Sequence, residues 1–180
     1  YSRAVRVAWL LEELELLYEI ETFSIGDKAL RDPKFKTLHP LGRVPVLTDG
    51  DITLYESGAI IQYILAKYSA GQLQVESTDL HFYQYLQWFH FAEGMIMPPL
   101  NTLVVETVLL PPERKNEVNI KRATKVLNQI LEVVEARLNE VAYLAINFSA
   151  ADIMSGHATI MCAHHGIDLT DKPHCRRYVE

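Results

Sequence analysis

The sequence predicts an α+β protein in which a small α/β domain, residues 1–70, precedes an all-helical domain, residues 78–180. Two observations predict this order. Helix-type and strand-type patterns alternate before residue 70, whereas from Thr78 onward the apolar residues recur almost only at helical spacing. Gly71 and several polar residues lie between the two regions, which indicates a linker at residues 71–77.

Composition and charge exclude several classes of protein. The chain has 180 residues, of which 49% are hydrophobic and 22% charged, values typical of a globular protein with a sizeable core. Its net charge of −6 argues against nucleic-acid binding, which needs a basic surface, and no apolar run reaches the ~18–20 residues of a membrane span. We therefore expect neither a nucleic-acid nor a membrane partner. Cys162 and Cys175 cannot form a disulfide framework, so we expect a protein of the reducing cytoplasm.

Two helices of the first domain are predicted from their apolar spacing. Ser2 is suited to cap the first helix, whose apolar residues share one face. Ser57 opens and caps the second, in which apolar side chains repeat at i, i+1, i+4 and i+5. The residues on these faces are Val7, Leu10, Leu11 and Leu14 in the first helix, and Ile60, Ile61, Ile64, Leu65 and Tyr68 in the second.

A small sheet is predicted between these helices. Residues 44–48 and 51–55 are rich in β-type side chains and flank the hairpin signal Asp49-Gly50, and residues 18–23 form a further β-type run. A strand that enters beside a hairpin fits a thioredoxin-like layer. Such a sheet needs one more strand, which we expect just upstream of the first residue, so the chain is expected to be a fragment of a slightly longer protein.

The second domain is predicted to consist of helices alone. Proline pairs at residues 98–99 and 111–112 are expected to end two of them, and Ser149 with Asp152 forms a capping box at the start of a later one, which Gly166 can end. The predicted helices cover residues 80–97, 101–110 and 113–138, then the helix that follows Ser149, and a last one from near Lys172-Pro173 that the end of the sequence cuts short.

Three features of the first domain favour one site for an anionic ligand. The start of the first helix favours an anion, and the Ser2 hydroxyl there can donate a hydrogen bond to sulfur. A cis bond at Val44-Pro45 explains a proline at a strand entry and leaves the backbone of Val44 free to pair with an extended peptide. Glu56 and Ser57, at a strand-to-helix junction, suit the ammonium and carboxylate of an α-amino-acid head. Taken singly, each feature also fits a simpler role as a helix cap, an edge-strand proline or a surface charge.

Six segments are more specific in their order and spacing than any one residue. They are Ser2-Arg3-Ala4-Val5-Arg6-Val7-Ala8-Trp9-Leu10-Leu11-Glu12-Glu13-Leu14, His39-Pro40-Leu41-Gly42-Arg43-Val44-Pro45-Val46-Leu47, Asp49-Gly50-Asp51, Leu54-Tyr55-Glu56-Ser57-Gly58-Ala59-Ile60, Tyr85-Leu86-Gln87-Trp88-Phe89-His90-Phe91-Ala92-Glu93-Gly94 and Phe148-Ser149-Ala150-Ala151-Asp152-Ile153. Together they resemble the glutathione S-transferase family over nearly the whole chain, most of all its bacterial and fungal members with a serine at the first helix.

The resemblance implies a function and a set of partners. Members activate the glutathione thiol as a thiolate and conjugate it to small electrophiles, with glutathione as co-substrate and no other cofactor or metal. A homodimer is implied, with a pocket for an apolar electrophile between the domains. The implied roles are thiolate stabilisation for Ser2, the cysteinyl partner for Val44 before cis Pro45, a position near the glycyl carboxylate for Arg43, and γ-glutamyl recognition for Glu56 and Ser57.

The residues that line the electrophile pocket are less specific. Trp88, Phe91 and Met95 belong to an aromatic and Met-rich stretch that suits apolar ligands, although the same stretch fits a helix core. No metal site is expected, because the His and Cys residues near the C-terminus do not follow a standard zinc spacing. Those residues are Cys162, His164, His165, His174 and Cys175.

Several alternatives stay open at this point. Tyr1 competes with Ser2 as the residue that activates the thiol, since a tyrosine has that role in some members. A glutathione-dependent peroxidase or disulfide reductase fits the same residues, and so does a non-enzymatic glutathione-binding regulatory module. Isomerisation of a maleyl-type substrate is disfavoured, because the chain lacks the Ser-Ser-Cys run of such members.

Overall fold

The chain folds into two compact units, as a computed structural model of residues 2–24 and 26–180 describes them. Unit 1 runs from Tyr1 to Leu73 and unit 2 from Gln74 to Glu180, so the division lies within residues 71–77. None of the helices in these described ranges is long and apolar enough to cross a membrane.

Unit 1 combines helices with one hairpin. Its elements are α1 (Ala4–Glu13), a short 3-10 helix (Lys28–Arg31), α2 (Pro33–Leu38), β1 (Val46–Asp49), β2 (Ile52–Tyr55) and α3 (Ser57–Tyr68). α1 packs against α3, and most of the predicted apolar faces are buried there. Tyr68 was predicted on that face but is exposed, because its hydroxyl hydrogen-bonds to the hairpin.

The hairpin forms with a turn one residue later than predicted. β1 and β2 are antiparallel, with Val46 opposite Tyr55 and Asp49 opposite Ile52. The turn is therefore Gly50-Asp51 rather than Asp49-Gly50. Gly50 has φ +58°, a left-handed conformation that glycine adopts without a steric cost.

One carboxylate ties the hairpin to the far end of α3. Asp49 accepts hydrogen bonds on a single oxygen from Tyr63 Oη at 2.7 Å, Lys67 Nζ at 2.8 Å and Tyr68 Oη at 2.5 Å. The bond from Lys67, followed by those from Tyr68 and Tyr63, holds the pKa of Asp49 well below its usual range. The hairpin turn and the last turn of α3 are thus held together by charge as well as by packing.

Three predictions for unit 1 are wrong in detail. Residues 18–23 do not form a strand, because a strand needs a hydrogen-bonded neighbour and the described residues give this run none. α1 is capped at Arg3 rather than Ser2, although Ser2 still accepts a hydrogen bond from the first turn. Glu56 is the N-cap of α3, and Ser57 is the first helical residue.

Unit 2 is helical throughout. Its elements are α4 (Phe82–Phe91), a π-helical segment (Ala92–Ile96), α5 (Met97–Val104), a second π-helical segment (Val105–Leu109), a 3-10 turn (Pro112–Arg114), α6 (Glu117–Glu140), α7 (Ala150–His164) and α8 (Pro173–Val179). α4 packs against α7, and α6 packs against both α5 and α8.

The prolines at residues 98–99 do not end a helix, contrary to the prediction. They lie in the first turn of α5, directly after the π-helical segment Ala92–Ile96. A proline is best tolerated in a first turn, where its missing N–H would lack an intrahelical partner in any case. The prolines at residues 111–112 do follow the end of the second π-helical segment, as predicted.

The buried face of α6 and the start of α7 agree with the prediction, whereas α6 begins four residues later than predicted. The apolar stripe of α6, from Ala123 to Leu138, is buried as predicted. α6 begins at Glu117 rather than at 113, because the preceding residues form the 3-10 turn and Asn116 caps the helix through Val118 N–H at 2.9 Å. The predicted capping box of α7 is confirmed: Asp152 Oδ2 accepts from Ser149 N–H at 3.0 Å.

Candidate active site

Ser2 is exposed directly before α1 and is oriented by the first turn of that helix. Its hydroxyl oxygen accepts a hydrogen bond from Ala4 N–H at 3.2 Å, and its carbonyl accepts one from Val5 N–H at 3.1 Å. Because the oxygen is the acceptor in the first bond, the hydroxyl hydrogen remains available for an anion in front of the helix. The helix start favours negative charge, and the charged side chains of this turn, Arg3 and Arg6, are both positive.

The loop before β1 presents the backbone of Val44. His39 is buried, and its carbonyl accepts from Gly42 N–H at 2.8 Å. Gly42 has φ +60°, and a Cβ at this position would overlap the carbonyl oxygen of Leu30, so only glycine fits. The Val44-Pro45 bond is cis, as predicted, and Val44 takes no part in the strand pairing of the described residues.

Glu56 adopts a left-handed backbone conformation that was not predicted. Its φ of +77° is rare for a residue with a Cβ and costs on the order of 1–3 kcal/mol. The conformation turns the chain from β2 into α3 within one residue, leaving the Glu56 carboxylate exposed and the Ser57 side chain buried. Strained residues of this kind cluster at ligand sites, because the surrounding fold must hold them in place.

Ser57 lies at the N-terminus of α3, beside a fully buried arginine. The first N–H groups of a helix have no intrahelical partner and favour an anion. Arg6 Nη1 of α1 donates a hydrogen bond to Ser57 Oγ at 3.3 Å, and both side chains are buried. The starts of α1 and α3 are therefore linked by a buried guanidinium.

The structure brings two parts of the predicted site of unit 1 together. Arg6, four residues after Ser2, contacts Ser57 at the start of α3. Val44 lies two residues before Val46 and Glu56 directly follows Tyr55, and Val46 is paired with Tyr55 in the hairpin. Arg43, next to Val44, is exposed. Val44 and Glu56 thus lie beside the paired ends of the hairpin, and Ser57 lies beside α1.

The three residues predicted to line an electrophile pocket lie in unit 2 and differ in exposure. Trp88 is buried in α4, where its carbonyl accepts a hydrogen bond from Ser155 Oγ at 2.5 Å. The ring of Phe91 packs 4.8 Å from that of Trp88. Met95, in the π-helical segment, is 49% exposed. Of the three, Met95 is the most accessible to a ligand, and the pocket itself stays a prediction.

Sequence reasoning missed two features of the site and named one residue outside the described ranges. Arg6 was not singled out, because an arginine at the start of a helix is normally solvated. Its place between Val5 and Val7 is a weak signal for burial. The left-handed conformation of Glu56 has no sequence signal other than the abrupt change from strand to helix. Tyr1, the rival to Ser2, lies outside the described residues.

Comparison with known proteins places the chain among glutathione transferases. Residues 1–66 match the family described as glutathione S-transferase, N-terminal domain. Glutathione S-transferase 4 of Zea mays is 35% identical over 157 residues, which cover 82% of this chain and 67% of that protein. Glutathione S-transferase F10 of Arabidopsis thaliana is 32% identical over 157 residues, which cover 85% of this chain and 73% of that protein.

Solved structures agree with these sequence relatives. The glutathione transferase URE2P8 from Phanerochaete chrysosporium, solved with oxidized glutathione, superposes with a TM-score of 0.87 at 28% identity, covering 99% of this chain and 83% of that one. The predicted order of a thioredoxin-like domain followed by a helical domain is confirmed, and so is the predicted glutathione transferase function. The chain belongs to the glutathione S-transferase family.

Proposed function

We propose that the protein ionises the thiol of bound glutathione at Ser2 and transfers the thiolate to a small apolar electrophile. The observation that carries this proposal is the hydrogen bond from Ala4 N–H to the Ser2 hydroxyl oxygen at the start of α1. It fixes the oxygen toward the helix and leaves the hydrogen directed away from it, where a sulfur anion accepts it. The helix start supplies further stabilisation of negative charge at the same point.

The chemistry consists of one ionisation and one displacement. A thiol with a pKa near 8.5 is only about 3% ionised at pH 7. A hydrogen bond to a charged group contributes about 1.5–3 kcal/mol, which lowers a pKa by about one to two units. The thiol proton passes to solvent. The thiolate then forms a carbon–sulfur bond with the electrophile, and the leaving group departs with its bonding electrons.

The remaining residues of the site dock the two ends of the tripeptide. The exposed carboxylate of Glu56 suits the γ-glutamyl ammonium group, and the start of α3 with Ser57 suits the carboxylate beside it. The backbone of Val44, next to the cis peptide bond, suits pairing with the cysteinyl unit. Arg43 is exposed on the same loop, where its charge suits the glycyl carboxylate.

The proposal extends to partners and location. Glutathione serves as co-substrate, and no other cofactor is needed because Ser2 and the α1 start supply the activation. The electrophile is small and apolar, with Met95 and Phe91 as candidate contacts. We also propose a homodimer that acts in the cytoplasm. The two buried free thiols, Cys162 and Cys175, suit a reducing compartment.

The test is a pH titration of glutathione bound at saturation, followed through the ultraviolet absorbance of its thiolate. In Ser2→Ala we expect the pKa of the bound thiol to rise by about one to two units, whereas Ser2→Thr retains most of the activation. Thr53→Ala removes an exposed hydroxyl from β2 and serves as the matched control. The protein's own thiols do not contribute to this absorbance, because burial raises the pKa of Cys162 and of Cys175 to about 12.

An unchanged titration in Ser2→Ala contradicts the assignment of Ser2. If Tyr1→Phe then produces the upward shift instead, the activating hydroxyl is that of Tyr1. If no variant changes the titration and the bound thiol already has the pKa of free glutathione, the protein binds glutathione without activating it. That outcome favours a non-enzymatic binding module.

A glutathione-dependent peroxide or disulfide reductase is the second candidate function. One observation favours it: the structures of URE2P8 and URE2P6 from Phanerochaete chrysosporium both contain oxidized glutathione. Steady-state turnover separates the two candidates. A conjugating enzyme turns over a halogenated aromatic compound faster than an organic peroxide, and a reductase shows the reverse order.

A further inference from the structure

Arg6 is the largest charged side chain buried within unit 1. Arg6 lies in the first turn of α1 and is 0% exposed. Ser57, its hydrogen-bond partner 51 residues later in the chain, is 2% exposed. Burying a guanidinium costs several kcal/mol unless hydrogen bonds and nearby negative charge offset it. A leucine or methionine would fill the same volume without that cost. What an apolar side chain could not supply is the hydrogen bond to Ser57.

The hydrogen bond between Arg6 and Ser57 fixes the direction in which the serine donates. A hydroxyl has one hydrogen to donate and two lone pairs to accept, whereas a guanidinium only donates. Since Arg6 Nη1 donates to Ser57 Oγ, the Ser57 hydrogen cannot point at Arg6. It is free to be donated at the α3 start, alongside the unpaired first-turn N–H groups.

The surroundings of Ser57 are suited to a negatively charged group. The positive end of the α3 dipole and the guanidinium of Arg6 both favour an anion there. A hydroxyl that receives a hydrogen bond from a cation is also a stronger donor, because hydrogen bonds in a chain polarise one another. A carboxylate would therefore bind more tightly to Ser57 with Arg6 behind it than to Ser57 alone.

We propose that Arg6 is a positioning residue that directs the Ser57 hydroxyl toward the α-carboxylate of the γ-glutamyl unit. This inference rests on the proposed function, since it takes glutathione as the ligand. In this role Arg6 acts on the ligand through Ser57 rather than by direct contact. It also joins the two ends of the site, because α1 begins at the thiol and α3 at the carboxylate.

The test compares two ligands that differ only in this carboxylate. The first is glutathione and the second is γ-aminobutyryl-cysteinyl-glycine, which is glutathione without the α-carboxylate of its γ-glutamyl unit. Because that compound retains the amine, it reports the loss of the carboxylate. Affinities are measured by titration calorimetry for the unaltered protein and for Arg6→Met, Arg6→Lys, Ser57→Ala and the double variant Arg6→Met/Ser57→Ala. Circular dichroism confirms that each variant is folded.

We expect Arg6→Met to weaken glutathione binding about tenfold and to change binding of the decarboxylated ligand less than about twofold. Arg6→Lys should restore part of the affinity, because it keeps the charge but not the planar fork. The double variant should bind glutathione no more weakly than Ser57→Ala does, since Arg6 acts through Ser57. Arg31→Met removes an exposed guanidinium from the same unit and should leave both affinities unchanged.

Two results overturn the inference while the proposed function stands. The first is an unchanged affinity for glutathione in Arg6→Met. The second is an equal loss of affinity for both ligands, which would show that Arg6 has only a structural role. An unaltered protein that binds neither ligand overturns the proposed function as well. If Arg6→Met does not fold, the NMR chemical shift of the Arg6 side chain in the unaltered protein tests the inference instead. We expect this signal to shift when glutathione is added but not when the decarboxylated ligand is added. A signal that glutathione leaves unchanged overturns the inference.

Discussion

Unit 1 buries seven apolar side chains in its described part, whereas unit 2 buries twenty-six. Six of the seven belong to α1 and α3, and the seventh is Pro45. The hairpin and the loops of unit 1 are instead held by polar links, above all the hydrogen bonds to Asp49 and the one between Arg6 and Ser57. Apolar burial contributes about 25 cal/mol per Å², so the larger core of unit 2 gives it the greater reserve of stability.

The difference teaches where a ligand site can be built. In unit 1 the same polar groups that hold the elements together also position the candidate site, so stability and binding depend on shared residues. In unit 2 the polar links, such as the capping box at Ser149 and Asp152, support helices that the apolar core already orders. Changes in the two units should therefore have separable consequences, and the two tryptophans, Trp9 in unit 1 and Trp88 in unit 2, allow each to be followed.

The largest effect on stability is expected from Asp152→Ala in unit 2. The buried carboxylate accepts hydrogen bonds from Leu144 N–H at 2.9 Å, from the backbone N–H and hydroxyl of Ser149, and from Tyr178 Oη at 2.8 Å. Removing it leaves several buried donors unpaired, so we expect unit 2 to lose about 3 kcal/mol of unfolding free energy.

Urea unfolding checks this in a Trp9→Phe background, in which Trp88 alone reports on unit 2. Asp168→Ala, which removes an exposed carboxylate bonded to Thr170, is the control and should cost well under about 1 kcal/mol. Glutathione affinity should not change in Asp152→Ala. A loss of affinity would mean that the two units do not respond separately.

A smaller effect, but one that reaches the candidate site, is expected from Gly42→Ala in unit 1. Gly42 and Gly50 have nearly the same left-handed φ, +60° and +58°, but only at Gly42 would a Cβ overlap a backbone atom, the Leu30 carbonyl oxygen. We expect Gly50→Ala to cost about 1 kcal/mol of unfolding free energy and Gly42→Ala about 2 kcal/mol.

Only Gly42→Ala should also weaken glutathione binding, because it displaces the loop that presents Val44. Chemical denaturation in a Trp88→Phe background, in which Trp9 alone reports on unit 1, gives the two stabilities, and calorimetry gives the two affinities. Equal stabilities and equal affinities in the two variants would show that the loop accommodates a Cβ, and the rigid presentation of Val44 would then be wrong.

The features that the sequence predicted correctly depend on neighbouring residues. The capping box at Ser149 and Asp152 spans three residues, and the hairpin needs only two short β-type runs around Asp49 and Gly50. The buried stripe of α6 follows from helical spacing alone. The site residues of unit 1 were assigned through their order along the chain, and their roles stay predictions.

The features that were missed depend on residues far apart in the sequence. Arg6 is buried because Ser57, 51 residues later, lies beside it. Residues 18–23 have β-type side chains, but a strand exists only beside a hydrogen-bonded neighbour. The prolines at residues 98–99 fit inside a long helical stretch because a π-helical segment precedes them, and nothing in their own sequence indicates that segment. Local pattern therefore predicts elements well and predicts their polar contacts poorly.

The smallest effect is expected from Asp49→Asn, and it should appear in the pH dependence of unit 1. The donors Lys67, Tyr68 and Tyr63 hold the folded-state pKa of Asp49 below the value of about 3.9 in an unfolded chain. A carboxylate with a lowered folded pKa stabilises the fold fully above the unfolded pKa, and this contribution is lost as the pH falls below it. Without this change the protein should thus lose stability more steeply between pH 5 and pH 3 than with Asp49→Asn. Urea midpoints measured by Trp9 fluorescence in a Trp88→Phe background check this. Asp51→Asn, an exposed change in the same turn, should show the same pH dependence of stability as the unaltered protein.

If Asp49→Asn has the same slope as the unaltered protein, the charge on Asp49 does not hold the hairpin to α3, and unit 1 would depend on its small apolar core alone.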